Sequence, residues 1–331
     1  MPQSSVNPAT GEVLATIADH TDDEVERSLT RSAAAARVWS ATPLEARTAM
    51  LRRMAELLDE EREPLARLAT LEMGKPIKAA RDEVAKCALL CRYYADEAPG
   101  FLAAERVVRD GREDGAVHFL PLGVLLAVMP WNFPYWQAIR AAVPALAAGN
   151  VVMLKHASNV PQCALAIERL FIAAGTRDGA FTTLLVSAAR AGALIDDPRI
   201  AAVTLTGSEA AGRDVGARAG GAIKPCVLEL GGSDPFIVLA SADVDAAAAT
   251  AVRARCINNG QSCIAAKRFI VHEAVYDAFA ERFAAAMRAL RLGDPLDEAT
   301  DIGPLATASI RREVDDQVRR TVAAGARVVT G

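Results

Sequence analysis

The sequence predicts an α/β fold in which a doubly wound parallel sheet is followed by a second α/β unit. Three observations carry that expectation. Short apolar runs at 123–128, 151–154, 182–186 and 203–206 alternate with helical stretches at 137–148, 162–174 and 191–195, and strands separated by helices in this way form parallel sheets buried on both faces. The residues hardest to explain as scaffold, Trp131-Asn132, Lys155 and Gly207-Ser208, fall at the carboxyl ends of these runs, where such sheets gather their ligands. The chain of 331 residues also exceeds the size at which one hydrophobic core stops growing, so at least two domains are expected.

Along the chain, residues 21–97 read as a helical layer, with apolar residues such as Met50, Met54, Leu57 and Leu58 at helical spacing. Thr21, Asp22, Asp23 and Glu24 form the capped, acidic start that a helix prefers. Between 106 and 120, charged and β-branched residues surround Asp110-Gly111 and Asp114-Gly115, two turn signals that predict a hairpin. After the sheet, Gly231-Gly232 opens a second series: strand 236–239, helix 246–256, strand 268–271 and helix 276–290. The last residues, Val328-Val329-Thr330-Gly331, read as a strand entering a turn, which suggests a C-terminally truncated sequence.

Composition excludes several functions. With 37 Lys and Arg against 41 Asp and Glu, the net charge is -4, which gives no electrostatic reason to expect nucleic acid or an anionic membrane as partner. Small molecules are the expected ligands. No apolar run reaches the roughly 20 residues of a membrane span, and the amino terminus lacks a secretory pattern, so a cytoplasmic protein is expected. Six cysteines without CxxC spacing and four scattered histidines speak for reduced thiols and against a disulfide scaffold or a metal site.

Several segments could carry chemistry. Gly207 to Gly212 has the glycine spacing of a phosphate loop, but Arg213 and Asp214 stand where Lys and Ser or Thr are required. Gly207-Ser208 can still offer free backbone N–H groups to an anion or serve as a plain helix cap. Cys263, in Asn259-Gly260-Gln261-Ser262-Cys263, is either a buried filler or a nucleophile presented beyond a tight turn, with its own N–H facing an oxyanion. Glu229 precedes Gly231-Gly232 and is either a solvated loop carboxylate or a base. In Pro130-Trp131-Asn132-Phe133-Pro134, two prolines restrict the backbone around an amide able to donate to an oxyanion.

Together PWNFP, ELGG and GQSC resemble the aldehyde dehydrogenase superfamily, and the similarity runs from Asn7-Pro8-Ala9-Thr10-Gly11-Glu12 to the end of the chain. LKHAS at 154–158, AVTLTGSEAAG at 202–212 and NNGQSCIAAKRFIV at 258–271 are most similar to the bacterial succinate-semialdehyde dehydrogenase branch. The resemblance implies a dinucleotide-binding domain over 1–103 and 121–230, a protruding oligomerisation hairpin over 104–120, and an incomplete catalytic domain over 231–331. It implies Cys263 as nucleophile, Asn132 with the Cys263 N–H as oxyanion hole, and Glu229 as general base. Trp131, Asn132, Lys155, His156, Ala157, Ser158, Gly207, Ser208 and Leu230 would contact NAD or NADP. NAD-preferring relatives often carry Glu where Ser158 stands, so NADP is expected to be accepted and is a candidate for the preferred cofactor. Arg140 would bind a substrate carboxylate, as in succinate semialdehyde, or make a surface or interface ion pair. Ile257 replaces an arginine found in some semialdehyde dehydrogenases, and Val186-Ser187-Ala188-Ala189 lacks the family's usual glycines. The resemblance further implies a small-molecule aldehyde substrate and a homo-oligomer, dimer or tetramer. Three other readings remain: an aldehyde dehydrogenase acting on another aldehyde, a cofactor-independent thiol hydrolase or acyltransferase, and an inactive dinucleotide-binding fragment.

Overall fold

A computed structural model describes residues 2–109 and 111–331. Strands β1 (Gln3–Val6) and β2 (Val13–Ile17) pair antiparallel. Thr21 then starts α1 (Asp22–Ser40) through a capping box, its hydroxyl accepting from Glu24 N while Glu24 accepts from Thr21 N. Helices α2 (Leu44–Glu60), α3 (Arg62–Met73) and α4 (Ile77–Phe101) complete the expected helical layer. Their Met54, Leu58, Ala80 and Val84 are fully enclosed.

The predicted hairpin forms from β3 (Glu105–Arg109) and β4 (Arg112–Val117). Asp110 of the Asp110-Gly111 turn, like Met1, lies outside the described residues. The other turn signal, Asp114-Gly115, sits inside β4. There the ladder passes from Val107↔Gly115 to Val108↔Glu113, so one extra residue is accommodated as a bulge rather than a turn.

Next come β5 (Val124–Val128), α5 (Pro134–Ala147), β6 (Val151–Lys155), α6 (Pro161–Ala173), β7 (Phe181–Thr183), α7 (Ala188–Leu194), β8 (Ile200–Gly207), α8 (Glu209–Gly221) and β9 (Cys226–Leu230). Among the described residues the main sheet has five parallel strands in the order β7-β6-β5-β8-β9. The strand order reverses between β5 and β8, the place at which open α/β sheets form a ligand crevice. The strand expected over 182–186 is shorter because Leu185 O accepts from His20 N (2.7 Å) instead of joining the ladder.

Helices α5 and α6 begin earlier than the spacing suggested, each with proline in its first turn, and neither has a side-chain cap of its own. Buried carboxylates from the helical layer take that place. Glu83 of α4 accepts from Tyr135 N (2.8 Å) and Trp136 N (2.9 Å), and Glu72 of α3 accepts from Gln162 N (3.1 Å) and Cys163 N (2.9 Å). Both groups satisfy N–H donors that a helix start leaves unpaired. Burial pushes the Glu72 carboxyl above its ordinary value, opposed by these hydrogen bonds.

Beyond the sheet, β10 (Asp234–Val238) and β11 (Ala266–Val271) form a parallel pair. Helices α9 (Val244–Cys256) and α10 (Glu273–Arg288) pack on it around Phe236, Phe269, Phe279 and Phe283. Helix α11 (Ala308–Ala323) buries none of its residues. The strand expected at 328–330 does not form: no described strand lies beside it to complete a ladder, and the segment after α11 is irregular.

Candidate active site

The cysteine loop is shaped by three consecutive residues in the left-handed region, Asn258 (φ 56°), Asn259 (φ 58°) and Gly260 (φ 71°). Asparagine tolerates that conformation better than other side chains do, and glycine adopts it freely. The amides of the loop are then spent on neighbouring backbone. Asn258 Nδ2 donates to Asn132 O (2.6 Å), and Asn259 Nδ2 donates to Gly74 O (2.8 Å) and Pro304 O (3.1 Å). In return Asn132 Nδ2 donates to Gln261 O (2.9 Å). PWNFP and the cysteine loop are thus laced together from both sides, although 126 to 129 residues separate the bonded partners.

One wall of the crevice depends on a buried ion pair. Lys75 and Glu83, fully enclosed, are bonded to each other, and the Lys75 ammonium also sits 4.3 Å from the centre of the Phe133 ring. Through Glu83 the pair holds the first turn of α5, and through Phe133 it braces the residue next to Asn132. Sequence reasoning missed Lys75, Glu83 and Glu72. Charged residues in amphipathic helices, as Glu72 and Glu83 are, and in the links between them, as Lys75 is, ordinarily face water, and only the tertiary packing shows these three facing inward.

A cavity of about 360 Å³ opens between these elements, with Cys263, Glu229, Leu230 and Arg140 among its lining residues, together with Thr206 and Ile257. Arg140 Nη1 lies 3.8 Å from Glu229 Oε1, and its Nη2 donates to Thr206 Oγ1 (3.3 Å). Arg140 Nε is enclosed without a hydrogen-bond partner. The Arg140 side chain as a whole is 36% exposed, so its guanidinium brings a positive charge to the cavity lining. Ser262 Oγ and Asn258 Oδ1, from two more lining residues, are likewise unpartnered. Ile257 adds no charge.

A second cavity of about 430 Å³ lies at the carboxyl end of β6, lined by Lys155, Ser158, Asn159, Val186, Ser187 and Asp19, among others. Burial depresses the Lys155 ammonium, with Asp19 acting in the opposite sense. Asn159, another lining residue, has its Nδ2 enclosed without a partner. Ser187 caps α7 by accepting from Arg190 N (3.2 Å), which gives Val186-Ser187-Ala188-Ala189 a helix start without glycine. At the end of β8, Ser208 caps α8 through Ala211 N (3.3 Å), with Gly207 just before it.

The remaining expected residues have other surroundings. The His156 ring is 3% exposed, bonds to Pro134 O (2.8 Å) and lines neither cavity; burial lowers its pKa to about 4, so it stays neutral. Ala157 N donates to His156 Nδ1. Trp131 and Ala157 pack half-buried against the main core. Among the described residues no group of three or more His, Cys, Asp or Glu is arranged to hold a metal. No described helix is long and apolar enough to cross a membrane.

Comparison with known proteins agrees with this geometry. The chain is 54% identical to succinate-semialdehyde dehydrogenase [NADP(+)] 1 of Mycobacterium tuberculosis, over 100% of this chain and 73% of that protein. It is 53% identical to succinate-semialdehyde dehydrogenase [NADP(+)] of Mycobacterium leprae, over 99% and 72%. Among solved structures, succinic semialdehyde dehydrogenase from Streptococcus pyogenes in complex with NADP+ superposes with a TM-score of 0.95 at 37% identity, covering 99% of this chain and 72% of that one. The profile of the aldehyde dehydrogenase family matches residues 2–331. The chain belongs to that family.

Proposed function

We propose that the protein oxidises succinate semialdehyde to succinate with NADP or NAD through a thioester on Cys263. The single observation that carries this reading is the cavity in which Cys263, Glu229 and Arg140 meet beside the Asn132-tethered loop. Cys263 Sγ, its proton given up to solvent, forms a bond to the aldehyde carbon, and the carbonyl π pair moves onto oxygen. The Cys263 N–H serves that oxyanion, and the Asn132 amide hydrogen not committed to Gln261 is assigned as the second donor, from a side chain held beside the cavity rather than on its lining. A bound nicotinamide supplies the hydride acceptor. Loss of hydride from the same carbon leaves a thioester; Glu229 then takes a proton from water as that water attacks, and the C–S bond breaks.

Residues of the second cavity fit the adenosine half of the cofactor. Lys155 offers a cation, and Ser158 and Ser187 offer hydroxyls. Ser208 and the N-terminus of α8 suit the pyrophosphate. His156 and Ala157 contribute by setting the backbone after β6. A serine at 158 accommodates a 2′-phosphate that a carboxylate would repel. Ser158→Glu is accordingly expected to lower the ratio of kcat/KM with NADP to kcat/KM with NAD by about tenfold or more. Initial rates with the two cofactors measure this, and an unchanged ratio contradicts it.

The substrate carboxylate is assigned to Arg140, whose partly exposed guanidinium lines the cavity beside Cys263. Replacing Arg140 with alanine should raise KM for succinate semialdehyde by about 10- to 100-fold, in line with the roughly 1.5–3 kcal/mol of a charged hydrogen bond. An uncharged aldehyde of similar length should change by much less. Equal effects on both aldehydes would remove the carboxylate role. We further infer the division into a cofactor domain (1–103 and 121–230), an oligomerisation hairpin (104–120) and a catalytic domain (231–331), in a cytoplasmic dimer or tetramer. Exposed Val107, Val108 and Val117 on the hairpin support the oligomeric part of this reading.

A further inference from the structure

Lys267, on β11, has no assigned part in the chemistry, yet its ammonium points back into the cysteine loop. Its Nζ donates to Cys263 O (2.8 Å), Ala265 O (3.0 Å) and Ser262 O (3.3 Å). Lys267 is not among the residues that line the cavity, whereas Ser262 and Cys263 are. The ammonium therefore grips the loop from behind. Ser262 C=O and Cys263 N–H belong to one planar trans peptide, so they point in opposite directions. The Ser262 carbonyl also accepts from Ala265 N (3.2 Å), and the Lys267 ammonium on the same oxygen (3.3 Å) keeps it turned away from the cavity, so that the opposed N–H faces it. That N–H has no acceptor among the described residues, as a group reserved for a ligand would not.

We propose that Lys267 is a positioning residue for the oxyanion hole: by holding the Ser262 carbonyl it aims the Cys263 N–H at the place where the aldehyde oxygen becomes charged. A cation on the carbonyl also polarises the peptide and makes its N–H a better donor. Asn132 Nδ2, bonded to Gln261 O, fixes the same loop one residue earlier, so both oxyanion donors depend on backbone anchored at 261 and 262. This inference rests on Cys263 being the nucleophile. It does not depend on which aldehyde or cofactor is used.

The test compares reactions of Cys263 that do and do not form an oxyanion. Lys267→Met should lower kcat/KM for aldehyde oxidation, and for p-nitrophenyl acetate hydrolysis without cofactor, by about 10- to 100-fold, somewhat less than deletion of an oxyanion donor itself. Alkylation of Cys263 by iodoacetamide, a displacement that builds no oxyanion, should stay within about twofold. Lys267→Arg should recover part of the loss, because it keeps a cation and several donors. If Lys267→Met does not fold, Lys267→Gln carries the same comparison without the charge. Equal loss of ester hydrolysis and alkylation would mean that Lys267 only holds the loop together, and unchanged ester hydrolysis would mean that it does not aim the donor; either result overturns the proposal. Failure of the wild-type protein to reduce nicotinamide with any aldehyde would count against the proposed function, while the ratio of ester hydrolysis to alkylation would still decide the role of Lys267.

Discussion

Cys263→Ala is expected to abolish aldehyde-dependent reduction of nicotinamide, with a loss of about four to six orders of magnitude, the range seen when a covalent nucleophile is deleted. Alanine cannot form the bond to the aldehyde carbon, and no second thiol stands ready to replace it. Cys87, Cys91 and Cys163 are buried, and none of the other cysteines lines the cavity. The loop should survive the change, because its anchors run through Asn258, Asn259, Gln261 and Lys267 rather than through the sulfur. Cofactor affinity, read by fluorescence titration, should therefore stay near the wild-type value. Residual turnover above about one per cent of wild type would place the chemistry on another group.

The largest expected effect on stability is at Lys75. Removing one partner of an enclosed ion pair leaves an uncompensated charge, at a cost of about 3–5 kcal/mol. Lys75→Met does this to Glu83, which must still accept from Tyr135 N and Trp136 N. Denaturant unfolding should show the loss, and the double variant Lys75→Met/Glu83→Gln should regain part of it, since a neutral amide can still accept those two N–H groups. Activity of surviving Lys75→Met protein should fall as well. Phe133 loses the cation beneath its ring, and with it the restraint on the neighbouring Asn132. If the single and double variants were equally unstable, the pair would not be the unit that holds α5.

These two predictions differ in how far the sequence alone could have reached them. PWNFP, ELGG and GQSC are local signals: the residues that shape each turn are adjacent in the chain, so Asn132, Glu229 and Cys263 stand out in the sequence itself. The parallel sheet was equally legible, because a strand buried on both faces writes itself as an unbroken apolar run. Lys75, Glu72 and Glu83 were not. Each caps or braces an element 52 to 91 residues away, and nothing beside it in sequence marks it as inward-facing. Lys267 was hidden for a different reason. A lysine near a strand start reads as a solvated charge, and only the fold shows three carbonyls converging on its ammonium.

The two departures, at 114–115 and at 328–330, have the same origin. Asp114-Gly115 is a sound turn signal taken singly, but the partner strand was already committed to Arg112–Val117, so the surplus residue became a bulge. Val328-Val329-Thr330 has strand composition, yet a strand exists only where another offers its hydrogen bonds, and none of the described strands does. His156 sits in the LKHAS motif beside Lys155 and Ser158, but a ring at that position meets Pro134 O inside the core. Motif membership marked the segment, and side-chain direction placed Lys155 and Ser158 on the second cavity and Leu154 and His156 in the core.

The central claim is that the carbon oxidised is bonded to the Cys263 sulfur. It is tested most directly by mixing the wild-type protein with succinate semialdehyde and NADP, quenching in acid within the first turnover, and measuring the masses of its peptides. The expected result is a succinyl group on the peptide containing Cys263, appearing together with the first equivalent of reduced cofactor. Reduced cofactor formed while that peptide stays unmodified, or an acyl group found on a different residue, would contradict it.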